Sequence, residues 1–119
     1  MKDVETIKVF DAESVVASGT AESDAIDSRH LDGVCSVQYE ITGDGTLTLE
    51  YLLSLDGVNY ITPSGATEIG TSLTKLSGTA GKDVLEFTPE AARYMKILAT
   101  ETGTADTAIL TLTLGKRTA

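Results

Sequence analysis

Two stretches of this chain alternate apolar and polar residues, and that alternation constrains the fold more than any other feature. In residues 34–42, Cys35, Val37, Tyr39 and Ile41 share one parity, against Ser36, Gln38, Glu40 and Thr42. In residues 46–54, Leu47, Leu49, Tyr51 and Leu53 stand against Thr46, Thr48, Glu50 and Ser54. A period of two belongs to a strand with one buried and one wet face. Between the stretches lies Gly43-Asp44-Gly45, a turn whose glycines take positive φ without steric cost. A hairpin centred on Asp44 places Ile41 opposite Leu47, Tyr39 opposite Leu49, Val37 opposite Tyr51 and Cys35 opposite Leu53. Every pair is apolar, so turn chemistry and face pattern agree.

A second such unit ends the chain. Residues 93–100 and 107–114 flank the loop Glu101-Thr102-Gly103-Thr104-Ala105-Asp106. Pairing about that loop sets Ala99 against Ala108, Ile97 against Leu110 and Met95 against Leu112. Weaker strand signals lie at 4–10 and 13–18, as an N-terminal hairpin, with residues 1–18 an arm or edge strands, and at 58–61, 66–70 and 83–87. Residues 20–33 read as a long acidic loop, and 62–82 as a glycine-rich, turn-rich stretch. Thr88-Pro89-Glu90-Ala91-Ala92 predicts one short helical turn near 89–92, with Thr88 as N-cap and Pro89 in the first helical position. No segment carries a long amphipathic helix. The expected fold is therefore all-β: a single domain over 1–119, an antiparallel β-sandwich of jelly-roll type.

Composition excludes several function classes. With 9 Lys+Arg against 18 Asp+Glu, the net charge of −9 argues against nucleic acid as a partner, because phosphate binding is driven by basic residues. The charge is uneven: residues 1–60 hold 12 acids and 3 bases, whereas residues 61–119 hold 6 of each. No apolar run is long enough to span a membrane, and Met1–Phe10 shows no signal-peptide core, so synthesis in the cytosol is expected. Cofactors and metals are expected to be absent. Cys35 and His30 alone cannot build a four-ligand zinc site, and as a base–nucleophile pair they lack orienting groups. Cys35 also sits on the apolar parity, where a buried small hydrophobe belongs. Glu22, Asp24, Asp27 and Asp32 make an acidic loop without calcium-loop spacing. Gly78-Thr79-Ala80-Gly81-Lys82-Asp83 lacks the first Gly and the Ser/Thr of a phosphate loop and reads as a turn. No catalytic residues are expected.

The best functional signal is apolar residues on the polar parity. Leu98 and Ile109 fall opposite each other in the expected C-terminal hairpin, and Leu52 breaks the pattern of the first one. Together they form a candidate protein interface. The alternative is that a loop or the N-terminal segment of the same chain covers them.

The stretch Ser54-Leu55-Asp56-Gly57-Val58-Asn59-Tyr60 ends a strand in a Ser-x-Asp-Gly-x-x-aromatic turn. It is followed by Phe87-Thr88-Pro89-Glu90-Ala91-Ala92-Arg93-Tyr94-Met95-Lys96-Ile97 and a final Thr/Leu strand. This combination, over residues 34–114, resembles small virion proteins encoded in the structural regions of tailed bacteriophages and prophages. The resemblance implies a non-enzymatic capsid decoration or cement protein that bridges subunits of the major capsid protein, or another virion protein. It implies a homo-oligomer, a trimer by preference, located in the virion after assembly in the host cytoplasm. Residues 1–18 would then add a strand to a neighbour's sheet, and the Leu52, Leu98 and Ile109 face would meet another subunit. The acidic loop 20–33 would meet basic capsid surface or stay solvated. Two alternatives remain. One is a tail, baseplate or head-completion component. The other is a carbohydrate-binding or adhesion module, because similar turns occur in sugar-binding sandwiches; its loop contacts would be Asp56, Asn59 and Tyr60.

Overall fold

The structure, a computed structural model, describes residues 3–29, 31–65 and 68–118. Its strands are β1 (Asp3–Val15), β2 (Thr20–Glu22), β3 (Ile26–Asp27), β4 (Leu31–Gly43), β5 (Leu47–Ser54), β6 (Gly70–Leu73), β7 (Lys82–Phe87), β8 (Tyr94–Glu101) and β9 (Ala108–Thr118). One sheet has the order β1-β9-β4-β7; the other runs β2-β8-β5-β6, with β3 also on β8. All pairings are antiparallel and nested: β1 with β9, β2 and β3 with β8, β4 with β7, β5 with β6. Rolling that nested ribbon on itself lays β9 against β4 and β8 against β5. This is a jelly roll, and the all-β sandwich expected from the alternation is the fold.

The inward parities are those the alternation predicts except on β5, where Thr48 and Ser54 of the expected wet face are buried as well and Leu53 is only half-buried. Cys35, Val37, Tyr39 and Ile41 from β4, Leu47, Leu49 and Tyr51 from β5, and Met95, Ile97 and Ala99 from β8 are all buried. Leu110, Leu112 and Leu114 of β9 complete the layer between the sheets.

The pairing differs from expectation. β4 and β5 do not form a hairpin: Ile41, Tyr39 and Val37 pair with Leu110, Leu112 and Leu114 of β9. Leu49, Tyr51 and Leu53 pair with Ala99, Ile97 and Met95 of β8. Gly43-Asp44-Gly45 carries the chain from one sheet to the other, and the loop 102–107 does the same. The physical reason is that parity specifies which residues face inward. It does not distinguish a hydrogen-bonded neighbour from a partner across the core. The crossing is tight at Gly45, where a Cβ would stand 2.6 Å from the Ala108 nitrogen.

Other expectations are corrected likewise. Residues 3–15 form one strand rather than parts of a hairpin. Bulges between Lys8 and Phe10 and between Phe10 and Glu13 absorb the break in alternation while β1 stays on β9. Those residues are thus an edge strand of the first sheet, paired with β9 within the chain, and not a free arm. The acidic stretch contains β2 and β3, too short to show periodicity and held by pairing to β8, and the start of β4, where Leu31 pairs with Thr118 of β9. The expected strand at 58–61 reduces to an Ile61–Leu53 bridge. The one at 66–70 gives way to β6, which starts at Gly70; Ala66 and Thr67 lie outside the described residues. No helical turn forms at 89–92. Residues 88–93 cross between the sheets, and their polar groups bond elsewhere: Arg93 N–H to Ser54 O at 3.2 Å, and Ser28 Oγ to the Ala92 carbonyl at 2.9 Å. One isolated turn gains too little from its own hydrogen bond to compete with those tertiary partners.

Candidate functional site

The nested connections place the loops at two ends of the sandwich. At one end they are tied to Glu101, which continues the inward parity of Met95, Ile97 and Ala99 and is only 2 % exposed. Its carboxylate accepts N–H bonds from Ser18 (3.0 Å), Thr46 (2.8 Å), Gly103 (2.8 Å) and Thr104 (2.8 Å). One side chain thereby anchors the loops 16–19, 44–46 and 102–107. The backbone donors of Thr46 and Ser18, with Gly103 and Thr104, hold its pKa down to about 2 against the opposition of burial. A Lys75–Asp44 ion pair adds the loop 74–81 to this end. The segment 78–83 is a hydrogen-bonded turn in that loop, with Thr79 N–H on the Lys82 carbonyl at 2.9 Å. Glu101 is not among the sequence-predicted sites. The available signal was a charged residue one step beyond an inward run.

The other end is open. Between residues 53–63 and 90–92 lies a cleft of about 760 Å³. Asp56, Asn59 and Tyr60 line it together, alongside Leu53, Leu55, Val58, Ile61, Pro63, Glu90, Ala91 and Ala92. Asp56 organises the loop: Oδ1 accepts from Ser54 Oγ (2.9 Å), Val58 N–H (2.8 Å) and Asn59 N–H (2.8 Å), and Oδ2 from Asn59 Nδ2 (2.9 Å). The Asn59 and Val58 backbone donors, then the Asn59 amide and the Ser54 hydroxyl, hold the carboxyl well below the usual carboxylate range. Ser54 Oγ in turn accepts from Gly57 N–H at 2.9 Å, and Gly57 has a positive φ of 75°. This is why the Ser-x-Asp-Gly pattern makes a rigid turn. Ile61 is fastened to Leu53 by two backbone bonds of 2.9 and 3.0 Å. Tyr60 receives the Lys96 ammonium over its ring at 4.3 Å, and Lys96 is itself paired with Glu22 at 3.0 Å. Glu90 is held by Tyr51, whose hydroxyl donates to it at 2.7 Å while the Tyr51 ring stacks on Phe87. Burial first, and then Glu90, push that hydroxyl up to about 12.

The loop so braced holds large apolar side chains in water. Leu55, Val58 and Ile61 are 74 %, 78 % and 65 % exposed. The three residues singled out from parity do not form one surface. Leu98 lies on the second sheet, between Glu22 and Glu50, whereas Ile109 lies on the first, between Ser14 and Thr42. They cannot be opposite each other, because the hairpin that would pair them does not form. Leu52 shares Leu98's sheet but is buried outside the main core. Its strand partner is Lys96, whose ammonium lies over the Tyr60 ring.

Cys35 is fully buried, and burial pushes its thiol up to about 11 despite nearby Lys116. His30 and the side chain of Asp32 lie outside the described part of the chain. Asp27 is engaged by Arg29 through a forked contact, with Nε at 3.0 Å. Among the described residues, no cluster of His, Cys, Asp and Glu is arranged to hold a metal.

The class these features define is a two-sheet antiparallel jelly-roll sandwich with one anchored and one open loop end. Among solved structures it is similar to the SPBc2 prophage-derived protein YomS, with a TM-score of 0.54 and 10 % identity over 99 % of this chain and 96 % of that one. It is also similar to the infectious bursal disease virus VP2 subviral particle, with a TM-score of 0.63 and 11 % identity over 98 % of this chain. The chain spans 32 % of the length of that VP2 chain. At these identities the likeness is one of fold. No protein-family model matches the chain, and no curated protein sequence matches it.

Proposed function

We propose that this protein is a non-enzymatic structural component of a phage or prophage particle, working as a capsid decoration protein that bridges capsid subunits. The observation that carries the reading is the open loop end. Leu55, Val58 and Ile61 are held out in solvent on a loop that Asp56 and Ile61 make rigid. Clustered apolar exposure on a braced loop suits contact with another protein. The fold likeness to a prophage-derived protein over nearly the whole of both chains adds support, as does the likeness to a subviral particle protein. The major capsid protein is the proposed partner, and engagement of several capsid sites by one oligomer would multiply a modest contact.

The test compares particles assembled with and without the protein. Decoration requires hundreds of copies per particle and loss of heat stability without it. A dozen copies or fewer places the protein in the tail or neck. No binding and unchanged heat stability overturn the proposal. The carbohydrate reading has less support: Tyr60 is the one aromatic side chain lining the cleft among the described residues, and Lys96 occupies a face of its ring.

A further inference from the structure

The open cleft combines an apolar wall with a polar lining of a single sign. Leu55, Val58 and Ile61 supply the wall. The charged side chains lining it are Asp56 and Glu90, and no cation lines it among the described residues. Glu90 is steadied by the Tyr51 hydroxyl on Oε1. The ammonium of Lys96 lies against the Tyr60 ring and is paired with Glu22. Arg29 and Arg93 border a neighbouring hollow beyond Leu55, Ala91 and Ala92, and Arg29 is occupied by Asp27.

We infer that this cleft seats a short segment of a partner protein in which one or two apolar side chains are flanked by Lys or Arg. The apolar groups would pack on Leu55, Val58 and Ile61, and the cation would meet Glu90 and Asp56. The inference rests on the reading that the protein works by contact in an assembly, and it names the site and the partner's chemistry. Two physical features favour such an occupant. The loop is already ordered by Asp56 and by the Ile61–Leu53 bonds, so binding incurs little further ordering cost. A carboxylate rim around apolar surface selects basic over acidic partners and makes the selection salt-dependent.

The test titrates the full chain, followed by methyl NMR, with synthetic peptides on a Gly/Ser frame. One peptide carries Lys-Leu-Phe-Lys, a second carries Glu in place of Lys, and a third carries Ser in place of Leu and Phe. The basic apolar peptide is expected to shift the methyls of Leu55, Val58 and Ile61. Its affinity should fall several-fold between roughly 50 and 300 mM salt, as screening of an exposed charge pair requires. Glu90→Gln keeps an acceptor for Tyr51 but removes the charge, and should weaken binding several-fold. Leu55→Ser with Val58→Ser should abolish binding, and thermal melting checks that this variant still folds. Leu76→Ser, at the opposite end and 79 % exposed, should change nothing. Equal or tighter binding of the acidic peptide, shifts mapping elsewhere, or no shift at millimolar peptide overturns the inference. Particle binding that survives Leu55→Ser with Val58→Ser removes the cleft and leaves the assembly reading standing. Peptide seated in the cleft without any particle binding does the reverse.

Discussion

Leu112 and Ile109 lie on the same strand and differ almost entirely in environment. Leu112 is fully buried between its strand partners Phe10 and Tyr39, while Ile109 points out of the first sheet at 36 % exposure. Leu112→Ala should cost about 2–5 kcal/mol and Ile109→Ala under about 1 kcal/mol, read from urea unfolding midpoints. Glu101 makes a prediction in pH. Its folded pKa is depressed from the ordinary 4.5 to about 2, so its contribution is present above pH 4.5 and is lost as pH falls through 2. Glu101→Gln should melt lower than wild type at pH 7, and the gap should narrow as pH falls from 4.5 toward 2. A gap that stays constant or widens would contradict the anchoring role. Cys35 was legible at this scale, because its parity alone places it inside. Glu101 was not, because two of the donors that justify a buried carboxylate, Ser18 and Thr46, come from loops distant in the chain.

At the scale of elements, the principal strands β4, β5, β7, β8 and β9 were legible, whereas β2, β3 and the strand partners were not. The expected hairpins are arches between sheets, and crosslinking distinguishes the two. Thr42 and Ile109 are direct partners on neighbouring strands, so Thr42→Cys with Ile109→Cys should close a disulfide under mild oxidation. Leu98→Cys with Ile109→Cys should not close one within a monomer, since the residues lie on different sheets. Mass spectrometry of the oxidised monomer reads both. Three of the sheet edges carry features that oppose strand addition. β1 is bulged twice, β6 is short with Ser72 at a φ of 55°, and on β7 the Asp83 carboxylate accepts the N–H of Val84 at 2.8 Å. Such devices blunt an edge against a foreign strand.

Across the whole molecule, the first strand pairs with the last, with Asp3 beside Thr118, and each nested pair closes a long loop. Refolding from urea should therefore take milliseconds to seconds, as non-local β topologies do, and microsecond refolding would contradict this topology. The same nesting disperses the charge asymmetry of the chain. β1 and β4 come from the acidic half and β7 and β9 from the neutral half, yet they share one sheet. An acidic half in sequence is thus not an acidic end in space. By itself the sequence determined the all-β class, the inward parity of the principal strands, the burial of Cys35 and the turn at Ser54–Tyr60. All of these depend on residues a few positions apart, where the pleat period and side-chain chemistry act directly. The tertiary structure alone decided which strands pair, that Leu98 and Ile109 part company, that Leu52 is buried, and that Glu101 gathers three loops. Those outcomes depend on how the ribbon rolls, and parity is the same whether an inward residue meets its partner along the sheet or across the core.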